Sequence, residues 1–239
     1  MTISKKRLCA LLAGSAAALA APFIYATGMQ PETSVVILYE AEGETSINVK
    51  NTDGTPALLY STIENIPEDT EPLVVLTPPV TRVEAGETQL VRFLRQGGEP
   101  VTTQRLKRVI FEGIAPKLNS QGRSTVGVSM RQNLPLIVHP KGLEPNREPW
   151  KLLKWGIHNG KLVVINNSAY VVRLSQELKL KPSGKTALLP RTYVLPGETL
   201  KMALAPEAIH SSSVTIGPGT VYGFSVDKYE APIDATTSY

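Results

Sequence analysis

The residue types that most often perform chemistry are few and scattered in this chain. His139, His158 and His210 are far apart in sequence, and only His210 has a carboxylate at helical spacing, Glu207. One such pair falls short of the three or four ligands that zinc takes, so no metal site is expected. His139 is followed by proline, and its expected role is a structural hydrogen bond at a bend. The single cysteine, Cys9, lies close to the N-terminus and leaves no thiol nucleophile further along. No Gly-x-Ser-x-Gly elbow occurs, and Gly217-Pro218-Gly219 lacks the Lys-Ser/Thr of a phosphate loop, which makes it a hairpin turn. Glu64, Glu68 and Asp69 cluster around Ile66-Pro67. Paired carboxylates can cleave glycosides, but acidic residues are seldom buried and a solvated loop is the expectation here. The chain is therefore expected to be no enzyme and to need no cofactor.

Binding is a different matter. From Thr125 to Val138 every second residue is apolar except one: Val126, Val128, Met130, then Gln132, Leu134, Leu136 and Val138. The other face reads Gly127, Ser129, Arg131, Asn133, Pro135, with Ile137 its only large apolar member. As a strand this stretch extends about 45 Å at roughly 3.3 Å per residue. The ordinary strand has about 5 or 6 residues. Leu134, Leu136 and Val138 are expected in their own domain's core. Pro135 within a strand indicates an edge or a bulge, and a long open edge needs a partner. The segment is thus a candidate for adding a strand to another protein, with alternate side chains setting register.

The elements around this strand are short and β-like. Ser46–Asn51 alternates and is closed by Asp53-Gly54; Leu73–Leu76 is closed by Thr77-Pro78-Pro79. Thr88–Leu94 and Arg108–Ile114 follow, and Gln121-Gly122 turns the chain into the long segment. His139-Pro140-Lys141-Gly142-Leu143-Glu144-Pro145-Asn146, with two prolines and a glycine, reads as a bend between domains. Beyond it the pattern restarts with Leu162–Ile165, Tyr170–Leu174 and a closing strand over Val221–Val226. Only Ala203–Ile209 hints at a helical turn, and Trp150 and Trp155 are expected to pack near the linker. The tail Lys228–Tyr239 is polar and is expected to fray. The fold class is all-β, as two β-sandwich domains in tandem.

Lys5, Lys6 and Arg7, the apolar run from Leu8 to about Ala21, and Ile24-Tyr25-Ala26 have the layout of a secretory signal peptide. The run is too short to span a bilayer. The expected division is residues 1–26 as the leader, 27–139 as the first domain and 140–239 as the second. Without the leader the 25 Lys+Arg fall to 22 against 21 Asp+Glu, a net charge near +1. Net charge thus gives no argument for nucleic acid or an anionic membrane. The exported chain, free of cysteine, is expected to fold without disulfides.

A family resemblance rests on particular residues. Thr77-Pro78-Pro79-Val80-Thr81-Arg82-Val83 leading into Gly86, Gln89 and Val91-Arg92 resembles the PP…R(L/V)…G…Q…(V/L)R pattern of periplasmic pilus chaperones. Ile114-Ala115-Pro116 resembles the end of that family's F strand, and the long G strand ends in His139-Pro140 where the family usually has Arg-Pro. Leu162–Val172 is similar to the second-domain stretch, with Asn-Asn-Ser-Ala in place of Asn-Pro-Thr-Pro. Together these span roughly Ser34 to Val226. The resemblance implies two immunoglobulin-like domains in a boomerang arrangement. It also implies a periplasmic chaperone that completes pilin (fimbrial) subunits with its own G strand and passes them to an outer-membrane usher. Counting back from Pro140, the implied donor residues are Val126, Val128 and Met130.

The family also clamps the subunit's terminal carboxylate with an arginine on the first strand and a lysine on the G strand. Here Thr33–Leu38 has no basic residue and Pro135 stands at the lysine position. Arg105, Lys107, Arg108 and Arg131 are the replacement candidates. The readings set against a chaperone are a secreted fibre subunit or adhesin, and an extracellular ligand-binding module. The first would want a longer N-terminal extension than Thr27–Ser34; the second would want an aromatic-lined site.

Overall fold

In the computed structural model, residues 28–115, 130–220 and 226–234 are described. The first domain holds β1 (Met29–Pro31), β2 (Val36–Tyr39), β3 (Glu44–Asn51), β4 (Ala57–Asn65) and β5 (Val74–Thr77), followed by β6 (Val80–Val83), β7 (Thr88–Arg95), β8 (Arg105–Ile114) and β9 (Arg131–His139). They form two facing sheets, ordered β1-β3-β7-β5 and β2-β9-β8-β4-β6. The alternation of β3 explains one half of the core: Ile47 and Val49 point inward while Asn48 and Lys50 face solvent. They meet Val91 and Phe93 of β7, Val109 and Phe111 of β8, and Leu134, Leu136 and Val138 of β9, as the alternation of β9 predicts.

The second domain contains β10 (Lys154–His158), β11 (Lys161–Asn166), β12 (Val172–Leu174), β13 (Glu177–Lys181) and β14 (Thr186–Leu188), then β15 (Tyr193–Val194), β16 (Glu198–Ala203), β17 (Ser213–Ile216), β18 (Pro218–Gly219) and β19 (Tyr229–Asp234). A seven-stranded sheet, β14-β13-β17-β19-β10-β11-β16, faces a three-stranded one, β15-β12-β18. Trp150 and Trp155 are both buried in this core. A single turn of 3-10 helix over Pro206–Ala208 occupies the place where a helical turn is expected.

The two domains share a local device. Asn51, fully buried at the end of β3, donates from Nδ2 to the carbonyls of Thr55 and Val83, both at 3.0 Å. Asn166, at the end of β11, does the same to Tyr170 and Val194 at 2.8 and 3.2 Å. Each amide ties a loop carbonyl, of Thr55 or Tyr170, to the carbonyl that ends a strand, of Val83 or Val194.

One expectation for the C-terminal part needs correction. The polar tail does not fray over its first part: Tyr229–Asp234 forms β19, between β17 and β10. Of the expected strand Val221–Val226, residues 221–225 lie outside the described residues, and Val226 is in no strand. Tyr229, Ala231 and Ile233 alternate with Glu230, Pro232 and Asp234 and pack on the core. Pro232 is tolerated because β10 pairs with β19 only from Ile233 onward.

The domains touch through a third apolar cluster. Val35, Ile66, Leu106 and Ile137 of the first domain pack against Val171 of the second, with Tyr193 and Leu195 alongside. A polar bridge runs beside it. Gln104 accepts from the Val171 N–H at 2.9 Å and lies 2.9 Å from His139 Nδ1, while His139 Nε2 lies 2.7 Å from the Leu143 carbonyl. Every partner is satisfied when the neutral His139 donates through Nε2 and accepts from the Gln104 amide at Nδ1. The structural hydrogen bond expected for His139 is therefore in place. Gln104→Leu should leave two buried groups unpaired, at about 1–3 kcal/mol each. Thermal unfolding of the purified variant is the check, and an unchanged Tm would show that the bridge contributes nothing.

Candidate functional site

Two features converge on one side of the molecule, an open strand edge and a cationic cleft. β9 pairs with β8 from Arg131↔Glu112 to Val138↔Arg105. On its other side β2 joins, in parallel, only from Leu136 to His139. Over Arg131–Pro135 the strand therefore has one hydrogen-bonded neighbour among the described residues. Pro135 sits where the ladder to β2 begins, as a proline at a strand edge should. Met130, just ahead of β9, is exposed at 39 %. Val126 and Val128 lie outside the described residues.

The four candidate cations part company in the structure. β8 has apolar residues on both faces, because one covers the sandwich core and the other meets the second domain. Arg105 and Lys107 share the inward face with Val109 and Phe111; Arg108 shares the opposite face with Leu106 and Ile110. Both inward cations converge on Asp69. Arg105 grips both carboxylate oxygens, at 2.7 and 2.6 Å, and reaches Glu71 at 3.1 Å. The Lys107 ammonium, fully buried, lies 2.8 Å from Asp69 Oδ1 and donates to the Asp69 carbonyl at 2.7 Å. These two hold the Ile66–Glu71 loop against the sheet. Asp69 is thus no solvated loop residue: its side chain is 8 % exposed. Arg131 is exposed and paired with Glu64 across the sheet surface.

Arg108 stands apart. Its Nε donates to Asn133 Oδ1 at 2.6 Å and its Nη2 to the Asn133 carbonyl at 2.8 Å. It makes no salt bridge among the described residues. It lines an interdomain cleft of about 770 Å³ together with Gln30–Ser34 of the first-strand region, Gln132–Pro135 of β9, and Arg173 and Pro218 of the second domain. Burial pushes the Arg108 guanidinium below the ordinary arginine value, with Tyr193 and Glu64 only partly opposing the shift. Burial lowers Arg173 as well, and the positive charge of Arg108 adds to that effect.

Sequence reasoning missed Arg173. A signal existed: it is the one charged residue within the apolar run Tyr170–Leu174. Nothing in one chain's pattern, however, says that β12 looks back at the first domain.

Among the described residues no group of three or more His, Cys, Asp or Glu converges on a metal-sized site, and no helix is long and apolar enough to cross a membrane. Residues 28–144 match the family described as pili and flagellar-assembly chaperone, PapD N-terminal domain, and residues 148–226 match its pili assembly chaperone C-terminal domain. The chain belongs to the pilus-assembly chaperone family, and it is a chaperone of pilus subunits with two immunoglobulin-like domains. It is 45 % identical over 205 residues to the uncharacterized fimbrial chaperone YhcA of Escherichia coli K12, covering 85 % of this chain and 90 % of that one. It is 28 % identical over 188 residues to the Yersinia pestis chaperone protein caf1M, covering 70 % of each. Among solved structures, the Salmonella enterica SafA pilin in complex with the SafB chaperone matches with a TM-score of 0.72 at 18 % identity, over 87 % of this chain and 98 % of that chain.

Proposed function

We propose that this chaperone works in the periplasm by lending a strand to an incomplete pilin and delivering the pilin to an outer-membrane usher. The lent strand is the segment leading into β9, with Val126, Val128 and Met130 entering the pilin's groove and Arg108 holding the pilin's terminal carboxylate. Residues 1–26 serve as the export signal. The protein acts by binding alone, with no catalytic step and no cofactor.

One observation carries this reading: β9 is open over Arg131–Pro135, directly beside the cleft that Arg108 lines. Main-chain groups of an open edge pair readily with another chain. Three medium apolar side chains entering a groove contribute about 5–9 kcal/mol gross, at roughly 1.5–3 each, before association costs. Of the four cations, Arg108 alone faces the cleft without a carboxylate among the described residues.

A charge-assisted bond to a carboxylate contributes about 1.5–3 kcal/mol. Arg108→Ala should therefore weaken pilin capture about tenfold or more while leaving Tm nearly unchanged. Arg131→Ala, which breaks an exposed pair, should have little effect on either. Quantifying the pilin that co-purifies from periplasm decides it, and undiminished capture by Arg108→Ala excludes Arg108 as the anchor.

A further inference from the structure

Gln104 holds the second domain twice. Its backbone N–H donates to the Ala169 carbonyl at 2.8 Å, and its side-chain oxygen accepts from the Val171 N–H at 2.9 Å. The other end of the same amide meets His139 Nδ1 at 2.9 Å. Both side chains are buried, at 5 % and 4 % exposure. His139 Nε2, 2.7 Å from the Leu143 carbonyl, has to donate there, which leaves Nδ1 as the bare nitrogen. The charged and titratable groups around the ring are turned to other partners. From β2 the Tyr39 ring packs tilted at 5.0 Å, and the adjoining Glu40 carboxylate accepts from Arg95 at 3.3 Å and from the Val101 N–H at 3.2 Å. Arg105 of β8 is turned to Asp69, and the Tyr170 hydroxyl of the second domain donates to the Glu144 carbonyl at 2.6 Å. Lys141, in the bend, is exposed. No carboxylate pairs with His139 among the described residues.

We infer that Gln104 and His139 make the joint between the domains proton-sensitive: neutral His139 locks the second domain to the first through Gln104, and protonation of its ring releases the lock. A second proton has only Nδ1 to occupy, and it turns that atom from acceptor to donor. Nδ1–H then faces the Gln104 NH2 group, another donor. If the amide turns over to offer its oxygen to the ring, the NH2 group meets the Val171 N–H, and two donors again face each other. The backbone bond to Ala169 keeps Gln104 from moving away. In either arrangement a buried group loses its partner. The undocked joint thus binds the proton more readily than the docked one, and docking weakens as pH falls. Histidine is the side chain whose charge ordinarily changes between pH 5 and 8. The inference concerns the free chain and needs neither strand donation nor Arg108.

The test uses the mature free protein at about pH 7.5 and about pH 5.5, either side of the ordinary histidine range. Ring-nitrogen NMR should find His139 protonated on Nε2 alone at the higher pH and on both nitrogens at the lower. Hydrogen exchange of the Val171 amide, corrected for its intrinsic rate at each pH, should lose about tenfold in protection on acidification, as expected for one buried hydrogen bond. The amides of β11 should hold theirs. His139→Gln cannot titrate and should show no such loss. Gln104→Glu supplies a carboxylate that accepts from both the Val171 N–H and the doubly protonated ring, so its Val171 protection should hold or rise in acid. Tm at the higher pH shows that each variant is folded, and either variant suffices alone. A neutral ring protonated on Nδ1, or Val171 protection that does not change with pH in the unaltered protein, overturns the switch. A loss that persists in His139→Gln overturns the assignment to His139, and a loss as large in Gln104→Glu overturns the clash of donors as its cause.

Discussion

Asp69→Ala is expected to destabilise the first domain by about 3–5 kcal/mol, because it leaves the buried Lys107 without a counter-charge. Lys107 has no exposed surface, and its ammonium finds its negative partner in Asp69. Arg105 loses both bonds to the same carboxylate but keeps Glu71. For a domain of this size the loss corresponds to a fall in Tm of more than about 12 °C, at roughly 4–8 °C per kcal/mol. Lys107→Met should cost far less, since an apolar chain of similar shape removes the charge that needs a partner. If Asp69→Ala melts with the unaltered protein, or if Lys107→Met is the more damaging change, the buried pair does not hold the loop.

The same pair sets a pH dependence. Burial alone would raise the Asp69 carboxyl, but its bonds to Arg105 and Lys107 outweigh that and hold it below the ordinary carboxylate range. Lys107 moves down rather than up, because burial outweighs the bond to Asp69. A carboxyl depressed in the folded state stabilises the fold fully above its unfolded value of about 3.9 and loses that contribution as pH falls through the folded value. Acid unfolding of the intact protein should therefore include a loss below about pH 4 that Asp69→Asn lacks.

Val128→Asp is expected to abolish pilin capture while leaving the free chaperone folded. A carboxylate forced into a partner's apolar groove costs at least several kcal/mol. Strand donation requires that the same change in the free protein behave as a surface substitution does, within about 0.5 kcal/mol. The experiment is paired: Tm of the purified variant, and recovery of pilin from periplasm. A stable protein with its partner lost is the expected result. An unfolded variant would show that this face belongs to the domain's own core, as Leu134, Leu136 and Val138 do, and would remove the basis for strand donation.

Much of the architecture was determined locally. Period-two alternation in Ser46–Asn51, Thr88–Leu94 and Leu134–Val138 places one face of each strand in a core, because successive side chains on a strand point to opposite sides. Pro135 by itself indicated an edge, since proline cannot donate to a ladder. Tyr229–Asp234 carries little strand signal of its own, because it is short, contains a proline and offers only alanine at its most buried position. Its strand character comes from the neighbours β17 and β10, not from its own propensity.

The cations were harder for a more general reason. Arg105-Leu106-Lys107-Arg108-Val109-Ile110-Phe111 is apolar at both parities, so alternation could not say which basic residue faces the core, which the loop and which the cleft. Only the packing of a second domain onto the outer face of β8 separates Arg108 from Lys107. Only the return of β12 to that face brings Arg173 to the same cleft across 65 residues of chain. Strand periodicity is a property of neighbouring residues and can be read from them; the lining of one cleft by arginines from different domains depends on how the domains dock.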